Sequence, residues 1–172
     1  LPFLMVQLSS LNRPSWPEFR NSQRLLTKQL PQTWMVVTSD VGDSLDVHYR
    51  NKQPVGERLA LQALHNVYEH TVVSEGPSCI KARAVDGQVY LYFEHARSLQ
   101  AKNGPLAGFE VAGEDGVYHV ATAEIDGESV VVHSAEVPHP TMVRYGWQPF
   151  SRANLVNEAQ LPCSTFEKKI QQ

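Results

Sequence analysis

The 172-residue chain carries 15 Lys and Arg against 18 Asp and Glu, a net charge of -3 spread without blocks, so it offers no basic surface of the kind that attracts nucleic acid or anionic lipid. Its 42% hydrophobic and 19% charged residues are the composition of a folded domain and exclude a disordered or fibrous chain. No apolar run approaches the roughly 20 residues that span a bilayer, and two cysteines, Cys79 and Cys163, permit at most one disulfide and no cysteine-rich zinc or disulfide framework.

The first 70 residues alternate strand and helix signals. Residues 1–8 (LPFLMVQL) form an apolar run of the type buried on both faces of a parallel sheet, without an initiator Met and without the basic flank of a secretory signal. A run like this at residue 1 is expected to lie inside a longer polypeptide. Ser15, Trp16, Pro17 and Glu18 spell a capping box with proline in the first turn, which predicts a helix with Phe19, Gln23, Leu26 and Leu30 along its buried stripe and Pro31 as its stop. Trp34–Thr38 (WMVVT) is aromatic and β-branched and predicts a strand. A polar loop follows, and Pro54 opens a second helix whose predicted apolar face runs through Val55, Leu59, Ala63 and Val67, with Ala60, Leu64 and Tyr68 beside it.

Around Gly76-Pro77 the hydrophobic period changes from 3.6 to 2. CIKARAV and QVYLYFEH alternate on either side of Asp86-Gly87, a pair that signals a tight hairpin, and LAGFEVA, VYHVATAEI, ESVVVHS and TMVRYGW follow at short intervals. The tail from Gln148 onward reads as irregular. The expected fold class is α/β plus all-β: the closing β-α-β-α units of a doubly wound sheet over residues 1–75, then a small antiparallel β-sandwich with its tail over 76–172.

In an open α/β sheet, reactive groups collect on the loops beyond the carboxyl ends of the strands. The loop after WMVVT holds Asp40, Asp43, Asp46 and His48. An imidazole held by a carboxylate suits general acid–base work, because an unperturbed histidine titrates near neutral pH, at ~6.5, and both takes and returns a proton there. Asp and Gly also crowd loops for backbone reasons alone, so spacing by itself leaves a solvated turn as the competing reading.

The stretches LPFLMVQLSS, WPEFRNSQ, TSDVGDSLDVHYRNKQPVGERLALQAL and LAGFEVAGEDGVYHVATAEIDGESVVVHS, with VRYGW and NLVNEAQLP after them, together resemble the C-terminal half of the sialate O-acetylesterase family, which are SGNH-type carbohydrate esterases. The resemblance runs in order over nearly the whole chain. It implies a serine-type carboxylic ester hydrolase that removes acetyl groups from sugar hydroxyls, typically those of sialic acids. It also implies an SGNH-like sheet for residues 1–75 and a secreted, periplasmic or lysosomal location; no cofactor or metal is expected, since His65, His70, His95, His119, His133 and His139 do not fall at metal-ligand spacing with acidic or cysteine partners. The family's D-x-H-P-x-N-K-like segment falls on Asp46 to Lys52 and places its catalytic histidine on His48, with Tyr49 where proline is usual. The acid commonly stands three residues before that histidine, a position held here by Leu45. The carboxylate that orients the imidazole is therefore Asp46 or Asp43, or a backbone carbonyl takes that role.

The nucleophile has no match. The family's early Gly-x-Ser segment is absent from the 172 residues, there is no G-x-S-x-G, and Ser9-Ser10 runs into LNRPS rather than a glycine-rich helix start. The expected partners are accordingly an O-acetylated sugar and an N-terminal portion of the same protein that brings the serine and the oxyanion hole; this chain alone is expected to be nearly inert. Cys79 and Cys163 read as small buried hydrophobes, and Tyr145, Trp147 and Trp34 as core rather than sugar platforms. Arg144, Asn154 and Asn157 read as ties between the tail and the sandwich. The alternative readings are a noncatalytic sugar-binding or structural β-sandwich module, and an acetylxylan-type esterase.

Overall fold

The computed structural model describes residues 1–171. Strand β1 (Phe3–Val6) and strand β2 (Thr33–Val36) pair in parallel, Phe3 opposite Thr33 through Val6 opposite Val36, and helix α1 (Trp16–Thr27) makes the crossover between them. Helix α2 (Gln53–Asn66) follows the loop after β2 and packs on both strands. The rest is antiparallel: β3 (Ser78–Val85), β4 (Gln88–Glu94), β5 (Gln100–Ala101), β6 (Phe109–Ala112), β7 (Tyr118–Val120), β8 (Thr122–Asp126), β9 (Ser129–His133), β10 (Met142–Tyr145), β11 (Leu155–Val156) and β12 (Phe166–Lys169). These form two four-stranded sheets, in the orders β3-β4-β9-β8 and β12-β10-β6-β7, plus the small pair β5-β11.

The expected doubly wound SGNH-like sheet is not there. Among the strands of the described residues, twelve beside two helices, only β1 and β2 pair in parallel, and every other strand pair is antiparallel. The run LPFLMVQL is consequently not buried on both faces: Phe3 is 60% exposed and Val6 is exposed too, because two strands and two helices cannot cover a strand on all sides. Among the described residues no helix is long and apolar enough to cross a membrane.

Both helices start where proline and the preceding polar residues put them, but the most buried side chain of each is a polar one off the predicted stripe, while Val55, Leu59 and Ala63 on the stripe of α2 are half-buried. Ser15 occupies the N-cap position of α1 without a side-chain cap bond. Phe19 is 54% exposed and Leu26 and Leu30 are also exposed, while Pro17 and Arg20 are buried; in α2 the buried residues are Arg58 and Gln62, and the predicted Val67 and Tyr68 face out. The surface that α1 meets is rich in carbonyls rather than in side-chain methyls. Arg20, with no exposed area, donates from Nε to Thr165 Oγ1 (2.9 Å), from Nη1 to the Pro149 carbonyl (3.0 Å), and from Nη2 to the carbonyls of Gly146 (2.9 Å) and Gln148 (2.6 Å). Burial pulls its pKa down to about 10, which still leaves a cation at neutral pH.

The main apolar cluster lies in the antiparallel region, while Leu11 and Val36 are buried outside it. Val89, Leu91, Val111, Val130, Val132 and Val143 are fully buried, and Phe93, Phe109, Tyr145 and Phe166 join them. Alternation places these side chains between the two sheets. The β3–β4 hairpin turns at Asp86-Gly87, where both residues have positive φ (49° and 78°), as the sequence pair requires. The tail is less irregular than its composition indicates, since β12 pairs with β10 from Met142 opposite Lys169 to Tyr145 opposite Phe166.

Candidate active site

The loops beyond the carboxyl ends of β1 and β2 lie side by side. Thr38 Oγ1 donates to the Gln7 carbonyl (2.6 Å), Ser10 N–H donates to the Val41 carbonyl (3.3 Å), and Ser10 forms a parallel bridge with Gly42. Only glycine fits that bridge: its φ is +147°, and a Cβ on residue 42 would lie 2.3 Å from the Ser10 carbonyl oxygen. Ser10 is buried, with its Oγ donating to the Ser39 carbonyl (2.5 Å) and accepting from Ser151 N–H (3.1 Å). A hydroxyl used twice in this way holds two loops together and is unavailable as a nucleophile.

Arg58 fixes the stem of the His48 loop from α2. Its Nη1 donates to the Val37 carbonyl (2.7 Å) and to Asp40 Oδ1 (2.6 Å), and its Nη2 donates to Asp40 Oδ2 (2.6 Å). This bidentate pair is largely shielded from water and consumes Asp40, the first of the four candidate residues. At the tip, Asp43 Oδ1 accepts from the N–H groups of Leu45 (2.8 Å) and Asp46 (3.2 Å), and Asp46 Oδ1 accepts from the N–H of His48 (2.7 Å). These are side-chain-to-backbone turns that Asp favours. At the loop's exit, where the resemblance has a proline, Lys52 Nζ stands 3.4 Å from the centre of the Tyr49 ring.

His48 itself is exposed within a turn. Asp46 meets its backbone amide rather than its ring, and Asp43 meets the amides of residues 45 and 46, so in this conformation neither carboxylate holds the imidazole. The arrangement presents a solvent-facing imidazole on a loop whose stem is buried and whose tip is braced by its own acids. Among the described residues, no group of three or more His, Cys, Asp or Glu side chains is placed to hold a metal ion.

The remaining candidates are structural. Cys79 and Cys163 are buried free thiols; burial pushes Cys79 up to about 12 and raises Cys163 well above an ordinary thiol, so neither is a thiolate nucleophile at neutral pH. Tyr145 is in the core, its hydroxyl accepting from Leu155 N–H (2.8 Å). Arg144 Nε donates to Glu110 Oε2 (2.9 Å) and its guanidinium lies over the Tyr118 ring. Asn154 joins Ala107, Lys102 and Pro105, and Asn157 donates to the carbonyls of Glu75 (2.8 Å) and His95 (3.2 Å). Sequence reasoning missed Arg20 and Arg58. A buried Arg off the apolar stripe carries no signal in periodicity, and nothing in the sequence marks the carbonyls that receive it.

No protein-family model matches the chain, and no curated protein matches it either. Among solved structures it is similar to the crystal structure of a carbohydrate acetylesterase from Xanthomonas citri, at 39% identity and a TM-score of 0.90, over 98% of this chain and 41% of that one. The chain thus spans about two fifths of the length of the solved protein it matches.

Proposed function

We propose that this chain is part of a serine-type carbohydrate esterase that removes acetyl groups from sugar hydroxyls, with His48 as its general base. The observation that carries this reading is the similarity to the Xanthomonas citri carbohydrate acetylesterase along almost the entire chain, at an identity well above that of fold likeness alone. The braced, solvent-facing placement of His48 supports it, because an imidazole on a fixed stem can meet a hydroxyl brought by another stretch of polypeptide.

In this mechanism the serine comes from polypeptide N-terminal to residue 1, which also supplies the oxyanion hole. His48 takes the proton from the serine hydroxyl as its oxygen attacks the acetyl carbonyl, then gives that proton to the departing sugar oxygen. Water, deprotonated by the same imidazole, cleaves the acetyl-enzyme to acetate and free serine. Asp46 is the orienting acid, through a turn of the side chain from the His48 amide to the His48 ring. Of the possible sugars, the resemblance to the sialate O-acetylesterases puts O-acetylated sialic acid first and acetylated xylan second.

The test uses this chain joined to its preceding polypeptide, with acetate release from an O-acetylated sialic acid, acetylated xylan and an aryl acetate as readouts. His48→Ala is expected to lower kcat/KM by about 10³-fold or more, and unchanged activity in that variant would remove the base assignment. Asp46→Asn keeps an acceptor for the backbone amide while removing the charge. It is expected to lower kcat by about 10⁴, with Asp43→Asn close to the parent.

A further inference from the structure

The His48 loop runs from the end of β2 to the start of α2 and puts its tip in solvent. The bonds that Asp43 and Asp46 make at that tip stay within residues 43–48, so they set the tip's shape and not its place on the molecule. Its place comes from bonds that leave the loop. Apart from the Arg58–Asp40 pair, every hydrogen bond from residues 39–48 to another loop, helix or strand of the described chain goes to Ser10 or Asn12. Ser10 N–H donates to the Val41 carbonyl (3.3 Å), Ser10 Oγ to the Ser39 carbonyl (2.5 Å), and Asn12 N–H to the Ser44 carbonyl (3.2 Å).

Residues 10–12 are fastened in turn to the antiparallel region. Ser10 Oγ accepts from Ser151 N–H (3.1 Å), Leu11 N–H donates to the Pro149 carbonyl (3.3 Å), and Ser10, Leu11 and Ser151 are all buried. The receiving segment, residues 146–151 between β10 and β11, is itself fixed: Gly146 N–H donates to the Gly108 carbonyl (2.8 Å), and Arg20 donates to the carbonyls of Gly146, Gln148 and Pro149. Among residues 10–12, Ser10 alone bonds to both sides. Its hydroxyl proton goes to residue 39 and its lone pair takes the amide proton of residue 151, so one side chain links the antiparallel region to the stem of the His48 loop.

A general base works only within about 2.6–3.2 Å of the proton it takes, and a misplacement of about 1 Å costs on the order of 10²-fold in rate. An exposed loop reaches that precision only on a rigid support. From these contacts we infer that Ser10 is a positioning residue for the His48 base, through which segment 146–151 of the antiparallel region sets the place of the His48 loop. The inference rests on the esterase reading above and adds to it a task for the antiparallel region, which fixes the geometry of the reaction. Gly42 belongs to the same device, since only a residue without a Cβ lets the loop lie against the Ser10 carbonyl.

The test uses this chain joined to its preceding polypeptide, with an aryl acetate and an O-acetylated sialic acid as substrates and circular dichroism to check that each variant is folded. Ser10→Ala is expected to lower kcat about 10²-fold while KM stays within about twofold, because the base is displaced and the substrate's contacts are not. Ser10→Thr, which keeps both donor and acceptor, is expected to return to within about fivefold of the parent kcat. Leu91→Ala, a core change that makes none of these bonds, is the stability control and is expected to leave kcat within about twofold at a temperature where it is folded. Should Ser10→Ala fail to fold, Gly42→Ala breaks the same link from the loop's side and carries the same expectation. His48→Ala is measured alongside. If it is inactive while folded Ser10→Ala loses no more kcat than Leu91→Ala, or loses only in KM, or is not recovered by Ser10→Thr, the inference is overturned and the base assignment stands. If His48→Ala keeps full activity, the base assignment falls and takes the inference with it.

Discussion

In the antiparallel region the fully buried side chains include Val89, Leu91, Val111, Val130, Val132 and Val143, whereas in residues 1–66 the most deeply buried are Gln7, Ser10, Arg20, Thr38 and Gln62. The first set is held by burial of apolar area, which is non-directional and tolerates small shifts. The second is held by hydrogen bonds that work only at one geometry and lose stability sharply when one partner is removed. Leu11 and Val36 are buried there, but Phe3, Phe19, Leu25 and Leu26 stay exposed. The segment is thus fastened to the sandwich by a few polar pins, while its apolar surface is available to another part of the polypeptide. On the reading proposed above, in which His48 is a base, the pins would fix where its loop starts and leave the exposed side to the polypeptide proposed to bring the serine.

Arg20 gives the strongest test of this division. Replacing it with Met removes the donors to the carbonyls of Gly146, Gln148 and Pro149 and to the Thr165 hydroxyl, leaving Gly146 only the Thr165 hydroxyl and Pro149 only the Leu11 N–H, and is expected to destabilise the chain by about 4 kcal/mol. Arg20→Lys is expected to recover less than half of this, because one ammonium cannot reach four acceptors. Urea unfolding of both variants measures it, and a loss below about 1 kcal/mol for Arg20→Met would mean that the pins do not hold the segment. Leu91→Ala, in the apolar core, is expected to lose about 3 kcal/mol through lost transfer energy and a cavity. The two should also differ in kind. Hydrogen exchange in Arg20→Met should accelerate mainly in α1, β1 and β2, and in Leu91→Ala across both sheets of the antiparallel region.

The same contrast explains what could be read from the sequence. Alternation of Val89, Leu91 and Phe93 with polar neighbours, and the positive φ that Asp86-Gly87 accommodates, made β3, β4 and their turn legible, since there one residue's chemistry dictates one geometry. Edge strand β12 was not legible: FEKK offers one apolar residue before Ile170, and its place is decided by β10 alongside it. The helices were legible in position but not in their most buried side chains, because Arg20 and Arg58 point inward to acceptors contributed by distant backbone. Of the site, the loop bearing Asp43, Asp46 and His48 stood out by composition and by family resemblance. The Arg58–Asp40 pair and the Ser10–Gly42 bridge that hold its stem did not.

Arg58 sharpens the comparison at the loop. Arg58→Met removes the donors that Asp40 and the Val37 carbonyl share and leaves a shielded carboxylate unpaired, for an expected loss of about 2 kcal/mol. If the pair's main task is to place the loop, the amide shifts of residues 40–48 should move more than those of α2 itself. Adding Asp40→Leu to Arg58→Met should restore part of the stability, since no unpaired charge remains, without restoring the loop's shifts. Equal recovery of both would mean that the pair stabilises the fold and leaves the loop's position to Ser10 and Thr38.

The smallest expected effect lies at the junction of the two regions, where His95 Nε2 stands 3.1 Å from Glu75 Oε2 and both side chains are partly exposed, at 44% and 38%. The hydrogen bond to His95 holds the Glu75 carboxyl below its ordinary range, and the same bond raises the His95 imidazole above its own. His65 adds to the lowering of Glu75, and Glu94 adds to the raising of His95. A raised histidine contributes stability that is complete below its unfolded pKa of about 6.5 and fades as pH rises through the folded value. A depressed carboxyl contributes above its unfolded pKa of about 4.3 and loses that contribution as pH falls through the folded value. The pair is therefore worth most between about pH 4.5 and 6.5, where both partners are charged, and its exposure keeps the effect small and sensitive to salt. His95→Gln should lower Tm more at about pH 5.5 than at pH 8.5, and the difference should shrink in about 1 M salt. An equal penalty at both pH values would mean that the Asn157 bonds to the Glu75 and His95 carbonyls, which do not titrate, hold this junction without help from the charges.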